Sequence, residues 1–122
     1  MAAKAEQDWA GKLKAWAGAS VMFYLDSIAL HDMLFHQARA PSREGRIDNI
    51  IIDHLTWLLN AGSDAGSWSI GDARFTAVFL FSGMHGIVDD AYVKEKRITR
   101  GRLIKRLQRI CFRSAGLQFD DN

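Results

Sequence analysis

Asp72-Ala-Arg-Phe75-Thr-Ala-Val-Phe79-Leu-Phe81-Ser-Gly83-Met84-His85-Gly86-Ile-Val88-Asp89-Asp90-Ala-Tyr92 is a stretch without a proline and without strand-like alternation, and its reading decides the fold. It predicts a helix from near Asp72 to near Tyr92. Ser69 and Asp72 have the spacing of a capping box, with Asp in the place of the usual Glu or Gln. The run from Phe75 to Met84 is apolar on nearly every side, which predicts a helix buried on two faces. Gly83 and Gly86 lie three apart and share a face. Two glycines inside a helix cost about 2 kcal/mol together relative to alanine, so a close helix–helix approach or space for a ligand is expected there.

Working outward, the same periodicity recurs three more times. A first helix is predicted from about Asp8, its cap, to Gln37. Trp9, Leu13, Trp16, Ser20, Phe23, Tyr24, Ser27, His31, Leu34 and Phe35 recur at steps of three and four and share one face. The single proline, Pro41, falls between two helical patterns, so residues 39–45 read as a loop. A second helix follows from about Arg46 to Asn60, with an apolar stripe of Ile47, Ile50, Ile51, His54, Leu55, Leu58 and Leu59. Gly62 is its expected stop, and residues 61–67 form a small, flexible linker. The last helix is predicted from about Thr99, its cap, to Ala115, with Gly116 as stop. Leu103, Ile104, Leu107, Ile110 and Cys111 form its narrow seam. A doubly buried helix followed by a seam helix implies a core that continues into a partner. The expected fold is all-α: four main helices in an antiparallel bundle, in one domain.

Composition agrees with a soluble domain that needs no staples. The chain has 122 residues, 48% of them apolar and 25% charged, enough to bury roughly two-thirds of its unfolded surface. A lone cysteine, Cys111, excludes an intramolecular disulfide and a cysteine-based metal site and suits a reducing cytoplasm. Residues 1–7 lack the apolar run of a signal peptide. The greasiest stretch, Phe75 to Met84, is far short of the ~20 residues that span a bilayer, so no membrane partner is expected.

The segment from Gly66 to Ala91, Gly-Ser-Trp-Ser-Ile-Gly-Asp-Ala-Arg-Phe-Thr-Ala-Val-Phe-Leu-Phe-Ser-Gly-Met-His-Gly-Ile-Val-Asp-Asp-Ala, resembles the C-terminal domain of tetracycline-repressor (TetR) family transcriptional regulators. A Gly, an aromatic and a capping Asp open a long helix with small residues and a Gly-x-Val-like step. A shorter helix then ends in an Ala-Gly-Leu-like tail, here Ala115-Gly116-Leu117. Leu30-His31-Asp32-Met-Leu-Phe35 is similar to the family's first ligand-domain helix. The resemblance spans about Asp8 to Leu117. The family's helix-turn-helix head has no counterpart in this sequence.

That resemblance implies a cytoplasmic repressor's effector domain. Its last two helices would pair with their copies in a homodimeric four-helix interface, drawing on Phe81, Met84, His85, Val88, Leu103, Leu107 and Ile110. A small, mostly apolar effector would sit between the first three helices. Trp16, Phe23, Tyr24, Ser27, His31 and Phe35 from the first helix, His54 and Trp57 from the second, and Phe79 from the third are the pocket candidates, aromatic walls with a few orienting polar groups. The same side chains also suit a packed core with satisfied histidines. Operator DNA would be a partner only through a head that is not in this sequence.

The remaining signals are weaker. Asp32 with His36, and His85 with Asp89, are four apart, but each pair supplies two ligands where zinc needs three or four. No metal and no cofactor is expected. No Gly-x-Ser-x-Gly, P-loop or dinucleotide fingerprint occurs, so catalysis is not expected. Between Lys94 and Arg113 stand nine basic residues and one acidic residue, Glu95, while the whole chain carries +2, so the rest is net acidic. This basic helix reads either as a solvated or interfacial face, or, as the alternative function, as a module binding nucleic acid or an acidic partner through residues 94–113.

Overall fold

The computed structural model describes residues 8–34, 41–94 and 98–119, and the side chains of these except 28–34, 41–47 and 93. The described residues form four helices, α1 (Trp9–Leu34), α2 (Pro41–Asp64), α3 (Ala73–Lys94) and α4 (Arg100–Ser114), and no strand. The chain is an all-α bundle.

Local chemistry sets most helix ends. The Asp8 carboxylate accepts from the Gly11 N–H at 2.9 Å, Asp72 from Phe75 at 3.1 Å and the Thr99 hydroxyl from Arg102 at 3.1 Å. Each satisfies an N–H that has no partner inside its own helix. Asp72 is itself the cap of α3, and Ser69 stands outside it, exposed, so the pair is not a capping box. At the other end of α4, Gly116 takes φ +75° while the N–H of Leu117 bonds Phe112 O at 2.8 Å and that of Gly116 bonds Arg113 O at 3.0 Å. This double closure needs a left-handed residue, which glycine supplies without a Cβ clash.

The second helix departs from the sequence reading at both ends. It begins at Pro41 rather than Arg46, because a proline at the first helical position lacks only an N–H that would be unpaired anyway. It runs on through Gly62 to Asp64 and stops at Gly66, whose φ of +85° accompanies bonds from Ser67 N to Gly62 O and from Gly66 N to Ser63 O. Gly62 is thus a packing residue. It is buried, and the Trp68 indole lies where its Cβ would be. Trp68 is itself buried and donates its Nε1–H to Leu59 O at 2.9 Å, so the turn folds back onto the helix it leaves.

The helices alternate in direction. Lys14 O accepts from Gln108 Nε2 at 3.0 Å and Asp26 pairs with Arg100 at 2.9 Å, which makes α1 and α4 antiparallel. Asp53 pairs with Arg74, and Asp48 lies within electrostatic reach of His85, which makes α2 and α3 antiparallel. Packing is most extensive between α1 and α4 and between α2 and α3. One core joins all four: Leu13, Ala17 and Val21 from α1, Leu55, Leu58 and Leu59 from α2, Leu80, Met84 and Val88 from α3, Leu103, Leu107 and Cys111 from α4.

Three expected faces are rotated. In α1 the buried face includes Ala17, Val21 and Leu25, while Phe23 is 47% exposed. Small residues there admit α4 closely; a Cβ on Gly18 would touch Ile104 at 3.5 Å. In α2, Ile50 and His54 face outward. In α3 a single face is buried, through Ala73, Ala77, Leu80, Phe81, Met84, Val88 and Ala91. The opposite face, expected to be buried as well, is open: Phe75 is 73% and Phe79 65% exposed. The seam of α4 is filled by α1 of the same chain and needs no partner.

Candidate ligand site and pairing face

Tyr24 of α1 packs against His85 of α3 in a tilted ring contact, with centroids 4.1 Å apart and planes 43° from parallel. One turn earlier on α3, Phe81 packs edge-on against the same imidazole at 4.4 Å. One turn later, Asp89 accepts the Tyr24 hydroxyl at 2.8 Å. The i, i+4 spacing of Phe81, His85 and Asp89 puts all three over one strip of α3, and Tyr24 lies across them. Asp48 of α2 adds its charge to the imidazole's surroundings.

The electrostatics of this cluster are opposed. Burial lowers the His85 pKa, while the Asp48 and Asp89 carboxylates raise it; burial wins, and the imidazole sits below its ordinary value. A neutral, half-buried imidazole offers one donor and one acceptor. With a phenol, two carboxylates and the Phe81 ring beside it, the imidazole joins polar and aromatic groups of α1, α2 and α3. Cys111 is unlike it. Buried in apolar surroundings, its thiol is pushed up to about 12 and is chemically quiet.

Of the pocket candidates, the structure brings Tyr24 into this cluster and leaves Ser27 half-buried two-thirds of the way along α1. Trp16 is a core residue. Phe23, Trp57 and Phe79 are 47%, 55% and 65% exposed, so they are no enclosed walls in the single chain. His54 is exposed as well and joins a separate aromatic group, 5.8 Å from Trp57, which lies 5.9 Å from Trp9. The side chains of His31 and Asp32, and Phe35 and His36 entirely, lie outside the described residues. Among the described residues, no three His, Cys, Asp or Glu side chains gather as metal ligands.

The expected interface residues are placed differently as well. Phe81, Met84, Val88, Leu103 and Leu107 are buried in the chain's own core, and His85 belongs to the Tyr24 cluster. Ile110, 42% exposed, alone of the set reaches the surface substantially. What α3 presents outward is Phe75, Val78 and Phe79, then Ser82, Gly83 and Gly86. A Cβ built on Gly83 or Gly86 meets nothing within 4 Å. Sequence reading missed Asp89 as the partner of Tyr24. Its only local signal was the i, i+4 relation to His85, because the hydrogen bond joins residues 65 apart.

No described helix is long and apolar enough to cross a membrane. Comparison with known proteins finds no matching family model, no matching curated protein and no matching solved structure.

Proposed function

We propose that this chain is the ligand-sensing and homodimerisation domain of a TetR-type transcriptional regulator, with a small, mostly apolar effector held among α1, α2 and α3 and oriented by Tyr24, His85 and Asp89. The resemblance of Gly66 to Leu117 to that family motivates the reading. The observation that carries it is the outer face of α3, an exposed apolar strip divided into an aromatic half and a glycine half.

Such a strip is complementary to itself when two copies run antiparallel. A two-fold axis near residues 82 and 83 sets Phe79 of one copy opposite Gly86 of the other, so that each ring fills the space beside a missing side chain. Pairing therefore involves α3 residues other than those that the sequence suggested, and it leaves the Tyr24 cluster next to the paired helix.

Sedimentation equilibrium at micromolar concentration tests the pairing. Association is expected, and Gly86→Leu should weaken it at least tenfold without unfolding the chain, since the added side chain enters open space. A monomeric wild type, or a variant that associates equally well, overturns it. A thermal-shift screen of small apolar compounds tests the sensor half. A binding compound raises apparent stability, and His85→Gln should diminish that rise.

A further inference from the structure

The outward face of α4 has no role in the reading above. Arg102, Lys105, Arg106, Arg109 and Arg113 stand at positions i, i+3, i+4, i+7 and i+11, and all five are exposed. They lie opposite Leu103, Leu107 and Cys111, which α4 buries against α1. The first four line a surface hollow of about 400 Å³. No acidic residue occurs in Arg100–Ser114. The remaining arginine, Arg100, lies off this line and pairs with Asp26.

We infer that this ridge binds the phosphate backbone of duplex nucleic acid without regard to sequence. Spacing is the first reason. Eleven residues of helix rise about 16 Å, a length over which a duplex carries roughly nine charges on its two strands, so the row of five cations meets several phosphates at once. The second reason is residue type: four of the five are arginines, whose planar fork grips phosphate oxygens in pairs. A membrane surface fits less well, because a helix lying on lipid inserts its apolar face and the apolar face of α4 is already covered by α1. Single strands fit less well too, because the ridge carries no aromatic side chain on which bases stack.

The binding does not depend on pairing through α3, and a monomer would show it. The test is fluorescence anisotropy of a labelled random-sequence duplex of about 20 base pairs against salt. Four to five phosphate contacts predict affinity falling roughly 100- to 500-fold between about 50 and 200 mM salt. The triple variant Arg102→Gln/Arg106→Gln/Arg109→Gln should flatten the log–log slope by about 2.7 and weaken binding at low salt. Its circular dichroism and urea midpoint should stay close to wild type, since these side chains are exposed. Arg100→Gln, off the ridge, should bind as wild type. The inference is overturned if no binding occurs at about 50 mM salt, if the triple variant keeps the wild-type slope, or if phosphatidylserine vesicles or poly-glutamate at matched charge compete better than unlabelled duplex.

Discussion

Gly62→Ala should destabilise the chain although alanine is the better helix former. In an open helix interior the change would gain about 1 kcal/mol. Here the new methyl overlaps Cζ2 and Cε2 of the Trp68 ring and lies 2.8 Å from Cη2, against a carbon–carbon contact distance of about 3.5–4.0 Å. Either α2 gives way or the indole withdraws. Withdrawal uncovers a ring that is now buried and stretches its bond to Leu59 O, 2.9 Å long, worth about 1 kcal/mol. Overpacking of this kind costs about 1–3 kcal/mol. After the helix gain is set against these losses, a net destabilisation of about 1–3 kcal/mol remains. Urea unfolding followed by circular dichroism measures it. The cause is isolated by repeating the substitution in a Trp68→Leu background, where it should become neutral or stabilising. Equal cost in both backgrounds, or no cost in the wild type, would refute the account of Gly62 as the seat of Trp68.

Three further outcomes follow from the same structure. His85 has a folded-state pKa below its ordinary 6.5, so the unfolded chain binds the extra proton more readily; stability should be fully present above about pH 6.5 and decline as pH falls below it. His85→Gln should flatten that decline in urea midpoints taken from pH 5 to 8, and an unchanged slope would remove His85 as its source. Cys111, buried with its thiol raised to about 12, should ignore a disulfide reagent at pH 8 until urea unfolds the chain; prompt labelling of native protein counts against the packing of α4 on α1. Asp72→Ala should cost about 1 kcal/mol by removing the α3 cap, and Asp72→Asn should recover most of it, read again by urea midpoint.

The number of helices and most of their ends were legible in the sequence because they depend on local chemistry. Asp8, Asp72, Thr99 and Gly116 each act within a few residues of themselves. The end of α2 misled because two glycines four apart both satisfy the pattern; Gly66 takes the left-handed turn, and Gly62 makes room for a ring that arrives from the next segment. Pro41 misled because it is as acceptable in a first turn as in a loop. The rotations of α1 and α3 were hidden for another reason. Both are apolar nearly all round, so periodicity names no unique inner face, and the choice falls to small residues such as Ala17 and Ala77 that let neighbours approach. The candidate site was legible in Tyr24 alone, since what makes it a cluster is contact between distant helices.

The closing of the bundle by α1 and α4 sets a schedule for synthesis. Gln108 reaches Lys14 across 94 positions, and the residues of α1 that α4 covers leave the ribosome long before their cover exists. About eighty residues separate the end of α1 from the end of α4, a delay of roughly 4–16 s at ~5–20 residues per second. During that interval α2 and α3 can already pair, whereas the side of α1 that α4 covers, marked by Gly18 beside Ile104, stays in water. A nascent chain arrested after α3 would therefore be the form most exposed to chaperones and proteases, and the rate at which the last helix is translated bears directly on how much protein survives.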